Sequence, residues 1–366
     1  MHPQFQQLMN QATRLTQSGK LAAATAAIQA ALHGSPAASA PTQQNESNII
    51  DVEAREIPES TASSNAASST SNTSEPQPKS AVTGDTFITG SFRNSAGRRG
   101  YKLYVPPNTD GQALPLVVML HGCTQDADDF AAGTAMNQAA REQGFYVLYP
   151  AQSREANPHK CWNWFKHNHQ QHGRGEPSII AGMTREVIGT HAIDTQRIYV
   201  AGLSAGGAMA AILAESYPGL YAAAGVHSGL APGVASDLPS ALAAMKGTGL
   251  HVPRQPGSGI PTIVFHGDRD TTVHPDNAQR VIAASAGSAL QVETLRVPGT
   301  GDKRHSTRHM YRNTAGDIVA ERWEVHGAGH AWAGGTDNGS YTDRAGPDAT
   351  AEILRFFFER RLGSKP

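Results

Sequence analysis

Ser204 stands in Gly202-Leu203-Ser204-Ala205-Gly206, directly behind the apolar run Arg197 to Ala201. A serine hydroxyl becomes a nucleophile only when a base takes its proton, and small residues around it let the chain turn sharply from strand to helix with the hydroxyl lifted clear. That turn also leaves the first helical N–H groups free to face developing negative charge. The pattern points to acyl transfer from an ester; the plainer alternative is a glycine-rich turn with an incidental serine. Two groups further along decide between them. Thr262 to Phe265 reads as a strand, followed by His266-Gly267-Asp268-Arg269-Asp270. Asp270 is expected to orient the base, because Asp268 lies in the tight turn just after the strand and suits a loop-holding role. With 16 histidines in the chain, only position can pick the base. His330, in Gly329-His330-Ala331-Trp332, follows the last expected strand; His326 sits at that strand's end and reads as structural, and His227 precedes the acid.

The tetrahedral intermediate needs donors aimed at its oxygen. One is expected from the N–H of Ala205, the residue after the nucleophile. The other is expected from the N–H of Cys123, in His121-Gly122-Cys123-Thr124-Gln125 after the apolar run Leu116 to Leu120. Cys123 as a nucleophile in its own right lacks a marked histidine partner. Cys123 and Cys161 both fall in loops expected at the same end of a sheet. A disulfide between them is open, since such bridges are unusual in reducing compartments.

Elements that would position these residues alternate along the chain. A hairpin is expected over Thr86–Phe92 and Arg99–Val105. Strands are expected at Leu116–Leu120, Phe145–Tyr149, Arg197–Ala201, Ala222–His227, Thr262–Phe265, Val292–Val297 and Glu321–Val325. Helices are expected at Phe130–Gln143, Gly182–His191, Gly206–Ser216, Asn277–Ala286 and Asp348–Arg360. Short buried strands alternating with helices imply a mostly parallel sheet covered on both faces, the α/β-hydrolase arrangement. A TIM barrel would not account for the sharp turn at Ser204. Residues 84–366 form the expected catalytic domain. Residues 34–83, rich in Ser, Asn, Ala, Thr and Pro, bury too little apolar surface to order themselves and read as a flexible linker. Residues 1–33 read as two short amphipathic helices broken near Ser18-Gly19, a helical hairpin, an oligomerisation arm or a surface-targeting element.

The balance of 30 basic against 31 acidic side chains gives no overall attraction to nucleic acid. Phosphate-loop, HExxH and CxxC patterns are absent, so no nucleotide cofactor or metal is expected. His159, His167, His169 and His172 lack accompanying acids at regular spacing and read as a polar loop. Lys303-Arg304-His305 and Arg308 read as a solvated basic loop. No stretch resembles a signal peptide or a membrane span, and a cytoplasmic location is the expectation.

Together His121-Gly122-Cys123-Thr124-Gln125, Cys161-Trp162-Asn163-Trp164-Phe165, Gly202 to Gly207, His266-Gly267 through Val273 and Gly329-His330-Ala331-Trp332 resemble the catalytic domain of the polyhydroxybutyrate (PHB) depolymerase family, within a larger group of feruloyl-esterase-like enzymes. The resemblance spans about Gly84 to Leu362. It implies Ser204, Asp270 and His330 as a triad, Cys123 and Ala205 as oxyanion donors, and no cofactor. The partner it implies is a polyhydroxybutyrate polymer or granule surface. Secreted members carry a signal peptide and a polymer-binding domain after the catalytic one. With neither pattern here, the resemblance implies the intracellular, granule-acting branch. For substrate recognition, Trp332, Trp162 and Trp164 are the expected cleft-lining residues, with core packing as the alternative for each. A soluble carboxylesterase or feruloyl-type esterase is the rival function, and a catalytically silent binding protein is the more distant one.

Overall fold

The computed structural model describes residues 86–107, 111–248, 259–286 and 291–363. The expected N-terminal helices and linker lie outside these residues. The described chain opens with an antiparallel hairpin, β1 (Thr86–Asn94) and β2 (Gly97–Val105). It continues through β3 (Leu114–Leu120), α1 (Ala127–Thr134), α2 (Met136–Gln143), β4 (Tyr146–Ala151), α3 (Gly175–Thr190), β5 (Ile193–Leu203), α4 (Ala205–Ser216), β6 (Ala223–His227) and α5 (Leu238–Met245). Then come β7 (Thr262–Gly267), α6 (Asp276–Ala286), β8 (Gln291–Val297), β9 (Ser306–Arg312), β10 (Ile318–Val325), the short pair β11 (Trp332–Ala333) and β12 (Thr342–Asp343), and α7 (Ala349–Phe358).

Ten strands form one sheet in the order β1-β2-β4-β3-β5-β6-β7-β10-β9-β8. The centre, from β4 to β10, is parallel, and the hairpins at each edge are antiparallel. Side chains alternate across a strand, so each central strand supplies both faces. Leu116, Val118 and Leu120 pack with Ile180 and Met183 of α3 and Met209 and Ile212 of α4. Val117 and Met119 pack with Phe130 of α1, Ala140 of α2 and Phe356 of α7. This is the α/β-hydrolase arrangement, and it sets the loops after β3, β5, β7 and β10 at one end of the sheet.

Two differences from the sequence reading trace to contacts from elsewhere in the fold. The helix expected over Phe130–Gln143 is broken at Ala135, whose φ of 52° is left-handed. Two carbonyls at the break are drawn outwards: Thr336 Oγ1 donates to Ala132 O at 2.8 Å and Thr350 Oγ1 to Thr134 O at 2.7 Å. The expected basic loop is partly strand. Arg308 lies in β9 and grips Glu321, a fully buried carboxylate, through Nε at 3.0 Å and Nη2 at 2.7 Å. Arg304 pairs with Asp343 at 2.6 Å. Helix α5 carries no counterpart in the sequence reading. Among the described residues no helix is long and apolar enough to cross a membrane.

Candidate active site

Ser204 occupies the turn between β5 and α4 at φ 57° and ψ −118°, a strained conformation for a residue with a side chain. The turn closes only because its flanks lack side chains. A Cβ on Gly206 would lie 2.0 Å from Leu120 O, and one on Gly202 would lie 2.5 Å from Gly206 C. Ser204 N–H donates to His227 O at 2.9 Å, which fixes the turn to the end of β6.

Asp270 follows β7 and is buried. Its Oδ1 accepts the N–H groups of Thr272 and Val273, each at 2.9 Å, and its Oδ2 accepts Nδ1–H of His330 at 2.7 Å. His266 Nε2 lies 3.3 Å from the same Oδ2, though its shorter contact is to Val273 O at 2.8 Å. Burial acts to raise the Asp270 carboxyl, but the hydrogen bonds from His266, His330 and Val273 outweigh it and hold the group far below the ordinary carboxylate range. A carboxylate so fixed orients His330 with Nε2 left for another proton. No hydrogen bond joins Ser204 Oγ to His330 among the described residues; in unliganded sites this contact is commonly long and tightens with substrate.

Asp268, the competing acid, holds a loop. Its Oδ1 accepts Gly327 N–H at 2.7 Å and its Oδ2 meets His326 Nδ1 at 3.1 Å. Asp268, Glu324 and His326 bring ligating atoms within 4.8 Å of one another. The Gly327 and His326 contacts, with Thr307 on His326 Nε2 at 2.8 Å, engage Asp268 and both nitrogens of His326 without an ion.

The loop after β3 completes the arrangement. Gly122 packs against the serine, and a Cβ there would lie 3.6 Å from Ser204 Cβ. Gly122 N–H is taken by Gln125 Oε1 at 2.9 Å, so it is not a free donor. Cys123 N–H has no acceptor among the described residues, and Ala205, first in α4, has no carbonyl one turn behind it. These are the two N–H groups the sequence singled out. Cys123 and Cys161 form a disulfide, which resolves the pairing left open above.

Two buried groups, in roles the sequence reading did not assign, hold these loops. His121 donates through Nδ1 to Gly122 O at 2.7 Å and accepts Gln152 N–H at Nε2 at 3.1 Å. Burial lowers its pKa to about 4, so the ring is the neutral tautomer those bonds require. Glu176, fully buried, accepts Gln152 Nε2 at 2.5 Å, Asn163 N–H at 2.7 Å and Arg99 Nη2 at 3.0 Å. Burial would raise its carboxyl, yet hydrogen bonds from His169, Gln152 and Asn163 hold it at about 2. Through Gln152 this carboxylate backs the loop carrying Cys123, and Gln152 Nε2 also reaches Cys161 O at 2.9 Å.

His227 plays a comparable part on the other side. Its carbonyl takes Ser204 N–H and its Nε2 accepts Ala333 N–H at 3.0 Å, joining the serine turn to the chain just beyond His330. Burial pushes its pKa down to about 3, so this imidazole stays neutral and serves as an acceptor. Neither role had a signal in the sequence, where His121 read as part of the loop carrying Cys123 and His227 as a rival to His330 that precedes the acid.

The tryptophans correct an expectation. Trp332 is 1% exposed, Trp162 0% and Trp164 6%, so none lines an open cleft. Trp332 points inwards, edge-on to Phe130 at 5.5 Å and stacked on His227 at 5.1 Å, with Nε1–H donating to Thr350 Oγ1 at 3.1 Å. Trp162 packs against His121 at 5.6 Å, under the loop carrying Cys123. Trp332→Ala is accordingly expected to cost about 3–5 kcal/mol of stability by leaving a cavity. It should lower turnover of a polymer and of a short ester alike; denaturant unfolding beside both assays measures this, and a loss confined to polymer would contradict the core role.

In sheet order, Cys123 follows β3, Ser204 follows β5, His227 ends β6, Asp270 follows β7 and His330 lies beyond β10. Five neighbouring strands thus deliver a hydroxyl, an oriented imidazole and free N–H donors to one end of the sheet, the groups that acyl transfer requires. A cavity of about 660 Å³, lined by Pro218, Tyr221, Ile260, Arg312 and Ile318 among others, lies at the opposite end and holds none of them.

Comparison with known proteins gives a match over residues 99–306 to the family described as Esterase PHB depolymerase. A poly(3-hydroxyalkanoate) depolymerase C from Paucimonas lemoignei is 32% identical over 252 residues, covering 65% of this chain and 60% of that protein. The chain thus spans less than two thirds of that relative's length. Feruloyl esterase B of Thermothelomyces thermophilus is 30% identical over 220 residues, covering 54% of this chain and 74% of that protein. Among solved structures, an acetyl xylan esterase from Aspergillus awamori shares the fold with a TM-score of 0.58 at 22% identity, covering 75% of this chain and 98% of that one.

Proposed function

This chain belongs to the Esterase PHB depolymerase family, and on that premise we propose that it hydrolyses the ester bonds of poly(3-hydroxybutyrate) through Ser204, His330 and Asp270. The observation that carries the triad is the 2.7 Å bond from His330 to the buried Asp270, formed at the same end of the sheet as the strained serine turn, and the polymer substrate is supported by the family match and the depolymerase C relative. His330, held by Asp270, takes the Ser204 proton as the hydroxyl attacks the ester carbonyl. The N–H groups of Cys123 and Ala205 stabilise the oxyanion, and His330 then protonates the departing alcohol. Water repeats the sequence on the acyl-enzyme, so both products are hydroxyacid units and the chemistry needs no cofactor.

The rival substrate class is a small soluble ester, supported by relatives named for feruloyl and acetylxylan esters. Incubation with native amorphous polyhydroxybutyrate granules separates the two, beside a p-nitrophenyl ester and a Ser204→Ala control. Serine-dependent release of 3-hydroxybutyrate or its oligomers supports the polymer reading. Turnover of the small ester alone moves the assignment to a soluble esterase.

The Cys123–Cys161 bridge supports an oxidising compartment over the cytoplasmic location, because reducing compartments keep thiols free. Trapping thiols with a maleimide during cell fractionation is expected to leave both cysteines unlabelled. Two labelled thiols in a cytoplasmic, granule-bearing fraction would restore the cytoplasmic placement.

A further inference from the structure

Among the described residues, Tyr341 is the large aromatic residue left exposed, and it lies in the loop beyond His330. It is 48% exposed, and its φ of 53° is a left-handed conformation that a bulky residue adopts only when its surroundings enforce it. The enforcement is visible on both sides. Tyr341 O accepts Trp332 N–H at 2.7 Å, which fastens the residue to the chain just beyond His330. Its neighbour Ser340 donates its N–H to Asp129 Oδ1 at 2.7 Å, and Ser340 O accepts Gln125 Nε2 at 3.0 Å. That same Gln125 holds Gly122 N–H.

The phenol then reaches the loop carrying Cys123. Tyr341 Oη lies 3.3 Å from Thr124 Oγ1, and the Thr124 hydroxyl lies 2.6 Å from Cys123 O and donates its proton there. Tyr341 is therefore the donor in its contact with Thr124. The residue bridges the loops after β10 and β3, which stand on either side of the Ser204 turn in the sheet order. The hydroxyl contact and the bonded backbone hold this half-exposed aromatic residue between the two loops.

Resting on the esterase reading above, we propose that Tyr341 is a specificity residue: its ring forms one wall of the entrance to Ser204 and contacts the alkyl ester chain extending from the bond under attack. The ligand class is a flexible oxyester chain with methyl or methylene groups to lay against the ring. A substrate with only a two-carbon acyl group has little to place there. An apolar contact of this kind changes discrimination between substrates by about tenfold.

The test compares kcat/KM on a linear trimer of 3-hydroxybutyrate with that on p-nitrophenyl acetate, for the wild-type chain and for Tyr341→Phe, Tyr341→Ala and Tyr341→Asn. Asparagine tolerates the left-handed backbone and so separates loss of the ring from disturbance of the loop. The trimer-to-acetate ratio is expected to fall about tenfold in the Ala and Asn variants and to stay within about threefold of wild type in the Phe variant, which keeps the ring. An unchanged ratio in the Ala and Asn variants, with the wild type hydrolysing the trimer, would overturn the inference and leave the polyester reading standing. A wild-type chain that cleaves the acetate but not the trimer would overturn both.

Discussion

Replacing Ser204 by alanine is expected to lower kcat on any ester this chain hydrolyses by about 10⁶-fold, equivalent to about 8 kcal/mol of transition-state stabilisation. The size follows from the division of labour at the site. Without the hydroxyl, His330 has no proton to take, and the N–H groups of Cys123 and Ala205 face only an unassisted attack by water. His330→Ala should give a loss of similar size, and the double variant should be little worse than either single one, because the two groups act as a unit. Stability sharpens the result. Ser204 holds φ 57° and ψ −118°, so Ser204→Gly, which relieves that conformation, is expected to raise stability by about 1 kcal/mol while removing activity. Ser204→Ala keeps the Cβ and the strain. Steady-state rates and denaturant unfolding on the wild type and these four variants decide the matter; near-normal turnover by well-folded Ser204→Ala would eliminate this serine as the nucleophile.

The serine turn was legible in the sequence because its constraint is local. Glycine at 202 and 206 is required by backbone atoms a few residues away or on the adjoining strand, and the apolar run before it is a strand buried on both faces. The loop-holding role expected of Asp268 was legible for a similar reason: the residue tight against the strand end had backbone groups to satisfy, and Asp268 does so at Gly327. The tryptophans were not legible. An aromatic two residues past His330 can face either way, and only the pocket formed by Phe130, His227 and Thr350, far apart in sequence, turns Trp332 inwards. Arg308 fails in the same manner, since Ser306 to Arg312 shows no clean apolar alternation and its strand character depends on pairing with β8 and β10 and on the buried Glu321. Glu176 is the strongest case. It lies ahead of the helix expected at Gly182–His191, with nothing in the sequence to mark it, yet it stands in the first turn of α3 as the buried hub to which Arg99, Gln152 and Asn163 converge. Local backbone demands can be read from a sequence, whereas the supporting polar network arises from contacts across the fold.

Asp270→Asn is expected to reduce kcat by about 10⁴-fold with little change in the position of the chain around it. The carboxylate makes two kinds of contact with different tolerance to this change. Oδ1 accepts the N–H groups of Thr272 and Val273, and an asparagine carbonyl accepts the same pair without rearrangement. The amide NH₂ is then left where Oδ2 stood, facing His330 Nδ1 at 2.7 Å and His266 Nε2 at 3.3 Å. Two donors cannot share that contact, so His330 must offer a bare Nδ1 and carry its proton on Nε2, the nitrogen that has to receive the serine proton. The imidazolium formed during attack also loses the negative charge beside it. Asp268→Asn, by contrast, touches the Gly327 and His326 loop and is expected to change kcat by less than about tenfold. Measuring both variants on the same short ester tests the assignment of the acid directly. A large loss at Asp268 with a small one at Asp270 would reverse it, and equal large losses would mean that the Gly327 loop, rather than the tautomer of His330, limits the chemistry.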